Sequence, residues 1–178
     1  MSADSKTAVV LFNLGGPDSL NAVRPFLFNL FNDAAIINLP KPVRWLLAQM
    51  ISRRREPIAK KIYAELGGAS PLLKETTNQA TALSSFLNKD KNNNREYRVF
   101  ISMRYWHPMS NKVVQEVKAW TPDKVILLPL YPQFSTATTA SSICDWEKMA
   151  SKFGLAVNTI AICCYATNKE YVSAHAEK

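Results

Sequence analysis

The sequence is poor in the residues that build several common kinds of site. It has three cysteines among 178 residues, too few for a disulfide framework or for four thiolates around a metal cluster. Its two histidines, His107 and His175, lack the spacing to each other or to a cysteine that metal ligands show. Glycine is scarce, with five residues, and no GxGxxG or Walker-type phosphate loop occurs. Nucleotide binding is therefore weakly supported.

Long apolar runs are missing as well. No apolar stretch approaches the roughly 18 residues of a transmembrane helix. The segment at residues 1–7 is short and polar, and it lacks the apolar stretch of a signal peptide. We therefore expect a cytoplasmic protein, with peripheral membrane contact left open. Acidic residues are outnumbered by basic ones, 14 against 22, for a net charge of +8. That balance favours an anionic partner: nucleic acid, acidic lipid, or a small molecule with carboxylates or phosphates.

What the sequence does contain is an alternation of apolar runs and helical patterns. Apolar runs predict buried strands at residues 9–14, 97–105, 125–130 and 156–164. Helical spacing predicts helices at 42–55, 57–66, 71–87 and 110–120, a further helix near residue 143, and the first turns of another at 168–178. Strands that alternate with helices in this way predict a parallel α/β layer fold.

An unusually long helical segment, about residues 18–87, separates the first two predicted strands. It is too large for a plain crossover, so we expect it to form a lip over a cleft. Asp18 or Ser19 is placed to cap its first helix, and Pro25 is expected to split or kink that helix. Ser70 is placed to cap its last helix.

The carboxyl ends of the strands should meet at one edge of the sheet, where open α/β folds bind their ligands. We expect Asn13, Arg104 and Gln133 to lie on this edge. The third strand is followed by Tyr-Pro-Gln and then by a hydroxyl-rich turn at residues 135–142. This turn contains no glycine, so it is a poor phosphate cradle and better suits a flat, mostly apolar ligand with a few polar edges. Gly15 and Gly16 would let the backbone come close to such a ligand.

Arg104 and Tyr105 form the first candidate binding pair. Together they offer a cation and an aromatic face, which suit a conjugated ligand or a carboxylate. Pairing of Arg104 with a carboxylate at the sheet end is an equally good interpretation.

Three consecutive arginines, at residues 53–55, form the second candidate. Arginine binds carboxylates bidentately, so this cluster would hold a substrate with two acid groups. It could also contact an acidic bilayer, with Trp45, Leu46 and Met50 in the interface. The alternative is a core helix with a solvated basic end. Tyr63 and Ser70 would add hydroxyl contacts to the same lip.

The cysteines and histidines are interpreted as structural. Cys163 and Cys164 are neighbours on the last predicted strand, where their side chains would point to opposite faces. Cys144 lies in the helical pattern after the third strand. His107, before a proline, is expected to fix a turn, and His175 is expected to be exposed on a terminal helix.

Four segments of the chain together resemble the ferrochelatase family. They are NLGGPDSLNAVRPFL from Asn13, RRREPIAKKIYAELGGASP from Arg53, RYWHP from Arg104 and LYPQFSTATTASS from Leu130. They occur in the family's order and cover essentially the whole chain. The resemblance implies a lyase that inserts ferrous iron into protoporphyrin IX to form protohaem in haem biosynthesis. It also implies two similar Rossmann-like, chelatase-like halves with the porphyrin in the cleft between them.

The resemblance carries roles for six residues of this chain. It implies contacts to the porphyrin and its propionates from Arg55, Tyr63 and Ser70. It implies an inner cleft lined by Leu14, Arg104 and Tyr105. Thr136 stands where some relatives carry a cluster-ligating cysteine, so no iron–sulfur cluster is expected.

The chain departs from the family pattern at its catalytic histidine. In the family, that histidine stands in a Ser-Ala-His-Gly/Ser-Leu-Pro motif after a further strand, and its acidic partner lies later still. Here His175 is followed by Ala-Glu-Lys in a helical context, so we interpret it as a chance match. The catalytic histidine and glutamate would then lie beyond Lys178. We therefore expect a first lobe at residues 1–154, a truncated start of the second at 155–178, and a catalytically incomplete chain.

Two other functions are weighed against this one. A non-catalytic porphyrin-binding module could use the positive lip to meet an anionic membrane or another protein. A basic α/β nucleotide or nucleic-acid binder is disfavoured, because phosphate loops and a clustered aromatic–basic sheet face are missing. The expected ligands are therefore protoporphyrin IX and ferrous iron, with no nucleic acid.

Overall fold

The apolar runs and helical patterns fold into alternating strands and helices. The structure, a computed structural model, describes residues 5–90 and 94–177. Its strands are β1 (Ser5–Asn13), β2 (Arg95–Met103), β3 (Lys124–Pro129) and β4 (Asn158–Ala161). Its α-helices are α1 (Val23–Phe31), α2 (Lys41–Glu65), α3 (Leu72–Leu87), α4 (Ser110–Trp120), α5 (Ser141–Phe153) and α6 (Lys169–Ala176). A 3-10 turn at Leu20–Ala22 precedes α1, and a π-helical turn at Thr136–Ala140 precedes α5.

The strands form one parallel sheet in the order β2-β1-β3-β4. β1 lies inside the sheet, where Val9 is in register with Val99 of β2 and Ile126 of β3. This position explains its continuous apolar run, because a strand with neighbours on both sides and helices on both faces has no solvent side. The predicted α/β fold with a parallel sheet is confirmed.

One face of the sheet is closed by α4 and α5. Val113, Val114 and Val117 form an apolar stripe on α4 that packs against the sheet. Trp146 of α5 meets Phe12 of β1 edge to face, with 5.9 Å between ring centroids. Burial of such side chains contributes about 1.5–3 kcal/mol each, so this layer holds much of the fold's stability.

The opposite face is covered by α3, which contacts β2 and packs Ala80 against Val9 and Leu11 of β1. α3 is therefore the crossover helix between β1 and β2, and the prediction that all of residues 18–87 form a lip is wrong for this part. The backbone N–H of Leu72 donates to Ser70 Oγ at 3.3 Å, which confirms Ser70 as the residue that caps α3.

The lip consists of α1, α2 and the turn between them. Ser19 caps the 3-10 turn by accepting the Ala22 N–H at 3.3 Å, and α1 begins two residues before Pro25. α1 continues through Pro25, because a proline in a first turn loses no helical hydrogen bond, so the predicted split at this residue is wrong. The prediction of two helices around Pro57 is wrong, since α2 runs through it. Pro57 has no N–H to donate to the Arg53 carbonyl. Because Arg53 is exposed, water can donate to that carbonyl instead.

β4 is shorter than predicted, and all four of its residues are exposed. After Ala161 the chain stays beside β3: the Ile162 N–H donates to the Leu127 carbonyl at 2.9 Å, and the Tyr165 N–H donates to the Pro132 carbonyl at 3.0 Å. Cys163 and Cys164 therefore lie beyond the strand, with their Sγ atoms 2.8 Å apart. The prediction that they point to opposite faces is wrong.

All three cysteines are exposed, so none is a core residue. Asn168 caps α6 by accepting the Tyr171 N–H at 2.9 Å, which confirms a helix at this end. Within residues 5–90 and 94–177, no helix combines the length and the apolar character needed to cross a bilayer. The boundary between residues 154 and 155 stays a prediction.

Candidate functional site

The carboxyl ends of the strands meet at one edge, as the apolar runs predict. The Arg104 N–H donates to the Asn13 carbonyl at 2.9 Å, and the Tyr105 N–H donates to the Leu14 carbonyl at 2.9 Å. These bonds continue the β1–β2 pairing past the last residues of the two strands. Pro132, directly before Gln133, is joined to the segment after β4. The predicted edge is therefore present.

A cavity of about 420 Å³ opens between this edge, the lip and the start of α3. We call it the slot. Four residues that the family resemblance singles out line it: Leu14, Tyr63, Ser70 and Tyr105. The other lining residues are Gly15, Phe26, Leu30, Pro71, Leu72 and Glu75. A mostly apolar lining with the Tyr63 phenol, a serine and the Glu75 carboxylate suits a flat ligand with few polar edges.

Two glycines at the slot allow close contacts between neighbouring segments of the chain. Gly15 has φ of 82°, and a Cβ there would lie 3.1 Å from the Trp106 nitrogen. A Cβ on Gly16 would overlap the Ser70 side chain. These glycines therefore let neighbouring segments of the chain pack tightly, which accounts for both without a ligand.

The bend between α2 and α3 places Tyr63 and Ser70 on the same wall. The Gly68 N–H donates to the Tyr63 carbonyl at 2.7 Å, and the Ser70 N–H donates to the Pro17 carbonyl at 2.8 Å. Burial raises the pKa of the Tyr63 phenol above its ordinary value. Burial and the Asp33 carboxylate also raise the pKa of Tyr105. Both phenols are therefore neutral hydrogen-bonding groups at physiological pH.

Arg104 does not line the slot, but its guanidinium lies 5.1 Å from the centre of the Tyr105 ring. Its Nη2 lies 2.8 Å from Asp33 Oδ2, its Nη1 lies 3.7 Å from Asp145 Oδ1, and its Nε donates to Ser141 Oγ at 2.8 Å. The interpretation of Arg104 as a residue paired with a carboxylate is confirmed. Its guanidinium faces a second cavity, of about 270 Å³. Contact between Arg104 and a porphyrin stays a prediction.

The three consecutive arginines of α2 divide into two groups. Arg55 is exposed, with its guanidinium 5.8 Å from the centre of the Phe31 ring. Arg53 and Arg54 line a groove of about 690 Å³ on the outer side of the lip. The other residues of this groove are Arg24, Trp45, Leu46, Gln49 and Met50. Leu46 and Met50 are 58% and 60% exposed, so α2 is not the core helix of the alternative interpretation.

The sequence reasoning missed Asp33, which lies in the turn after α1. Its Oδ2 accepts hydrogen bonds from Arg104, from Tyr105 at 2.9 Å and from Ser141 at 2.7 Å. Burial alone would raise the pKa of Asp33, but the hydrogen bonds from Ser141 and the Ala35 N–H, with the charge of Arg104, lower it below its ordinary value. No sequence signal pointed to this residue, because its partners are more than 70 positions away.

The histidines lie outside the slot. His175 is exposed on α6, with its ring 4.4 Å from that of Tyr171 and its Nδ1 3.2 Å from the Tyr171 carbonyl. His107 precedes a cis proline in a turn, as predicted, and packs against Trp106. In the part of the chain that the structure describes, no three His, Cys, Asp or Glu side chains are grouped to hold a metal. Thr136 begins the π-helical turn before α5.

Comparison with known proteins identifies the same resemblance along the whole chain. The family model described as Ferrochelatase matches residues 6–178. A ferrochelatase from Wolbachia sp. subsp. Drosophila simulans (strain wRi) is 58% identical over 170 residues, which cover 96% of this chain and 53% of the relative. A ferrochelatase from Pelagibacter ubique (strain HTCC1062) is 51% identical, with 97% and 50% covered.

A third ferrochelatase, from Caulobacter vibrioides (strain NA1000 / CB15N), is 52% identical over 171 residues. These cover 96% of this chain and 48% of the relative. This chain therefore spans about half the length of the curated relatives that it matches. The family match and the identities agree with the four motifs and with the parallel α/β sheet: the chain belongs to the ferrochelatase family.

Proposed function

We propose that this chain binds protoporphyrin IX in the slot, as the porphyrin-binding part of a ferrochelatase that inserts ferrous iron to form protohaem in haem biosynthesis. The observation that carries the proposal is the slot itself. Leu14, Tyr63, Ser70 and Tyr105 come from three separate segments of the sequence and line one cavity. These are four of the six residues to which the family resemblance assigns porphyrin contacts.

The slot would hold the porphyrin mainly by burying its apolar surface. Phe26, Leu30 and Leu72 offer apolar contact area to the flat macrocycle. Tyr63 and Ser70 offer neutral hydroxyls at the polar edge of the ligand. Arg55 lies eight residues before Tyr63 on the same helix, about 12 Å along its axis. A carboxylate arm that extends out of the slot would meet this exposed guanidinium.

We propose further that the 178-residue chain binds the porphyrin without completing the reaction. Metal insertion requires a distorted macrocycle and a base that removes two pyrrole N–H protons. The histidines give no such base at the slot, because His107 packs on Trp106 and His175 lies on α6 against Tyr171. The residues that line the slot supply binding and orientation.

A titration of the chain with protoporphyrin IX, followed by porphyrin absorbance, tests the binding proposal. We expect micromolar affinity that weakens as salt is raised, because part of it comes from arginine and propionate charges. Arg55→Gln should weaken binding about tenfold and reduce the salt dependence. Arg95→Gln serves as the matched control, since Arg95 is exposed at the amino end of β2. The absence of any spectral shift would refute the proposal.

Ferrous iron added anaerobically to the complex tests the proposal about catalysis. We expect no protohaem from the chain alone. We expect recovery of iron insertion when the remaining half of a full-length relative is supplied. Robust turnover by the chain alone would show that it contains its own base. Recovery would also rule out the alternative function, a porphyrin-binding module without a catalytic role.

We also propose a cytoplasmic location with peripheral contact to an anionic membrane. The groove on α2 supports the membrane contact, because it combines exposed apolar side chains with Arg53 and Arg54. The three exposed, unpaired cysteines fit a reducing compartment. That the chain binds no nucleic acid and no iron–sulfur cluster stays a prediction.

A further inference from the structure

One carboxylate joins the lip to the edge of the sheet. Asp33 lies in the turn between α1 and α2, and its side chain is 9% exposed. Its Oδ1 accepts the Ala35 N–H at 2.9 Å, which fixes the carboxylate within its own turn. Its Oδ2 accepts from Arg104 at 2.8 Å, Tyr105 at 2.9 Å and Ser141 at 2.7 Å. A single oxygen thus connects the lip to the end of β2 and the start of α5.

Tyr105 connects this carboxylate to the slot. Its ring is 1% exposed in the chain and forms part of the slot wall, next to Leu14 and Tyr63. Its hydroxyl donates to Asp33 Oδ2 on the side away from the slot lining. The orientation of the ring therefore depends on a residue that itself does not line the slot.

Arg104 depends on the same residue. Asp33 and Ser141 hold the guanidinium at the second cavity, 5.1 Å from the centre of the Tyr105 ring. A cation at this distance is attracted to an aromatic ring, so Asp33 also fixes the Tyr105 ring through Arg104.

We propose that Asp33 is a positioning residue for the porphyrin slot, holding the Tyr105 ring as part of its wall and the Arg104 guanidinium against that ring. The inference rests on the proposed function, since it concerns the same slot. Asp33 makes no contact with the porphyrin. It acts through Tyr105 and Arg104.

Asp33→Asn tests the inference because it keeps the size of the side chain and presents an amide to three donors. We expect protoporphyrin binding to weaken about tenfold, the typical cost of losing hydrogen bonds to a charged acceptor. Asp145→Asn is the matched control. This substitution also removes a carboxylate charge that is paired with Arg104. The Asp145–Arg104 distance is 3.7 Å, however, and Asp145 has no bond to Tyr105. We expect its effect to be about twofold at most.

A double-variant cycle with Tyr105→Phe separates positioning from general damage to the fold. Phenylalanine keeps the ring but loses the bond to Asp33. If Asp33 acts through Tyr105, the double variant should bind within about twofold of the weaker single variant. Fold-changes that multiply would overturn the inference, and so would Asp33→Asn binding as tightly as the parent chain. If Asp33→Asn does not fold, Tyr105→Phe alone decides: unchanged affinity would overturn the inference.

The same cycle distinguishes this inference from the proposed function. If the parent chain binds no porphyrin, the proposed function fails. The link between Asp33 and Tyr105 is then judged from thermal unfolding without ligand. The loss of Tm from Asp33→Asn should be smaller in the Tyr105→Phe background. Equal losses in both backgrounds would overturn the link.

Discussion

The α4–α5 side of the sheet and helix α2 of the lip use apolar residues in opposite ways. On the sheet, Phe12 and Trp146 are each 1% exposed and contact one another. On α2, Ala48 and Ser52 are the buried residues among 25, while Trp45 is half exposed. Buried aromatic contacts such as that between Phe12 and Trp146 form a core. Exposed apolar side chains such as Trp45 leave apolar surface for a ligand, a membrane or another chain. The comparison indicates that the sheet layer supplies the stability and that the lip is shaped for binding.

Truncation of a core side chain should have the largest effect on the free energy of unfolding. Phe12→Ala should lower the free energy of unfolding by about 3–5 kcal/mol, because it leaves a cavity against Trp146 that the packed layer cannot fill. Urea unfolding followed by circular dichroism measures the change. The matched control is Phe86→Ala on α3, since Phe86 is 75% exposed. It should cost less than about 0.5 kcal/mol.

Equal losses for the two phenylalanines would contradict the assignment of stability to the sheet layer. A small loss at Phe12 would mean that the layer relaxes around the missing ring. Either result would remove the distinction between the two regions.

Asp33 is the carboxylate that joins the lip to the sheet. The folded state lowers the pKa of Asp33, so its ionised form adds stability that is present above the unfolded pKa of about 3.9. That contribution should be lost as the pH falls below about 4. Asp33→Asn should cost about 1–3 kcal/mol at pH 7. It should also flatten the fall of stability between about pH 5 and pH 3.

Urea midpoints measured across this pH range, for the parent chain and the variant, check the sign. Asp123→Asn is a suitable control, because Asp123 is an exposed acceptor for the Lys6 N–H at the amino end of the sheet. Parallel pH profiles for the parent chain and Asp33→Asn would show that the hydrogen bonds to Asp33 do not favour its ionised form.

The sheet could be predicted from the sequence because each of its strands carries a local signal. β1 and β3 each contain a continuous apolar run, at residues 8–12 and 125–128, and parallel strands that are buried on both faces show this pattern. Helix starts at Ser19, Ser70 and Asn168 were equally local, because a capping side chain acts within three residues.

The failures came from features that depend on the surroundings. Pro57 does not end α2, because the carbonyl that it leaves without a partner belongs to an exposed residue. β4 ends at Ala161, and the segment beyond it is held by the bond from the Tyr165 N–H to the Pro132 carbonyl, a long-range contact that no local signal predicts. Four of the site residues were brought together as the family motifs imply, whereas Asp33 was missed because its three donors lie on other elements.

Substitutions in the outer groove of the lip should have the smallest effect on stability. The double variant Leu46→Ser/Met50→Ser should change the free energy of unfolding by less than about 0.5 kcal/mol, because both side chains already face solvent. It should nevertheless weaken binding to vesicles that contain phosphatidylserine, since these side chains would insert beside Arg53 and Arg54. Cosedimentation measures both the binding and its salt dependence.

Two controls separate the apolar and the charged contributions to vesicle binding. Phe86→Ser removes an exposed apolar side chain from α3 and should leave vesicle binding unchanged, since Phe86 lies outside the groove. Arg53→Gln/Arg54→Gln should weaken binding by about 1 kcal/mol for each charge, and only for anionic vesicles. If the groove variants bind like the parent chain, the exposed side of α2 faces a protein or the rest of a ferrochelatase. If the groove variants lose vesicle binding but keep the free energy of unfolding of the parent chain, the lip serves binding and the sheet layer serves stability.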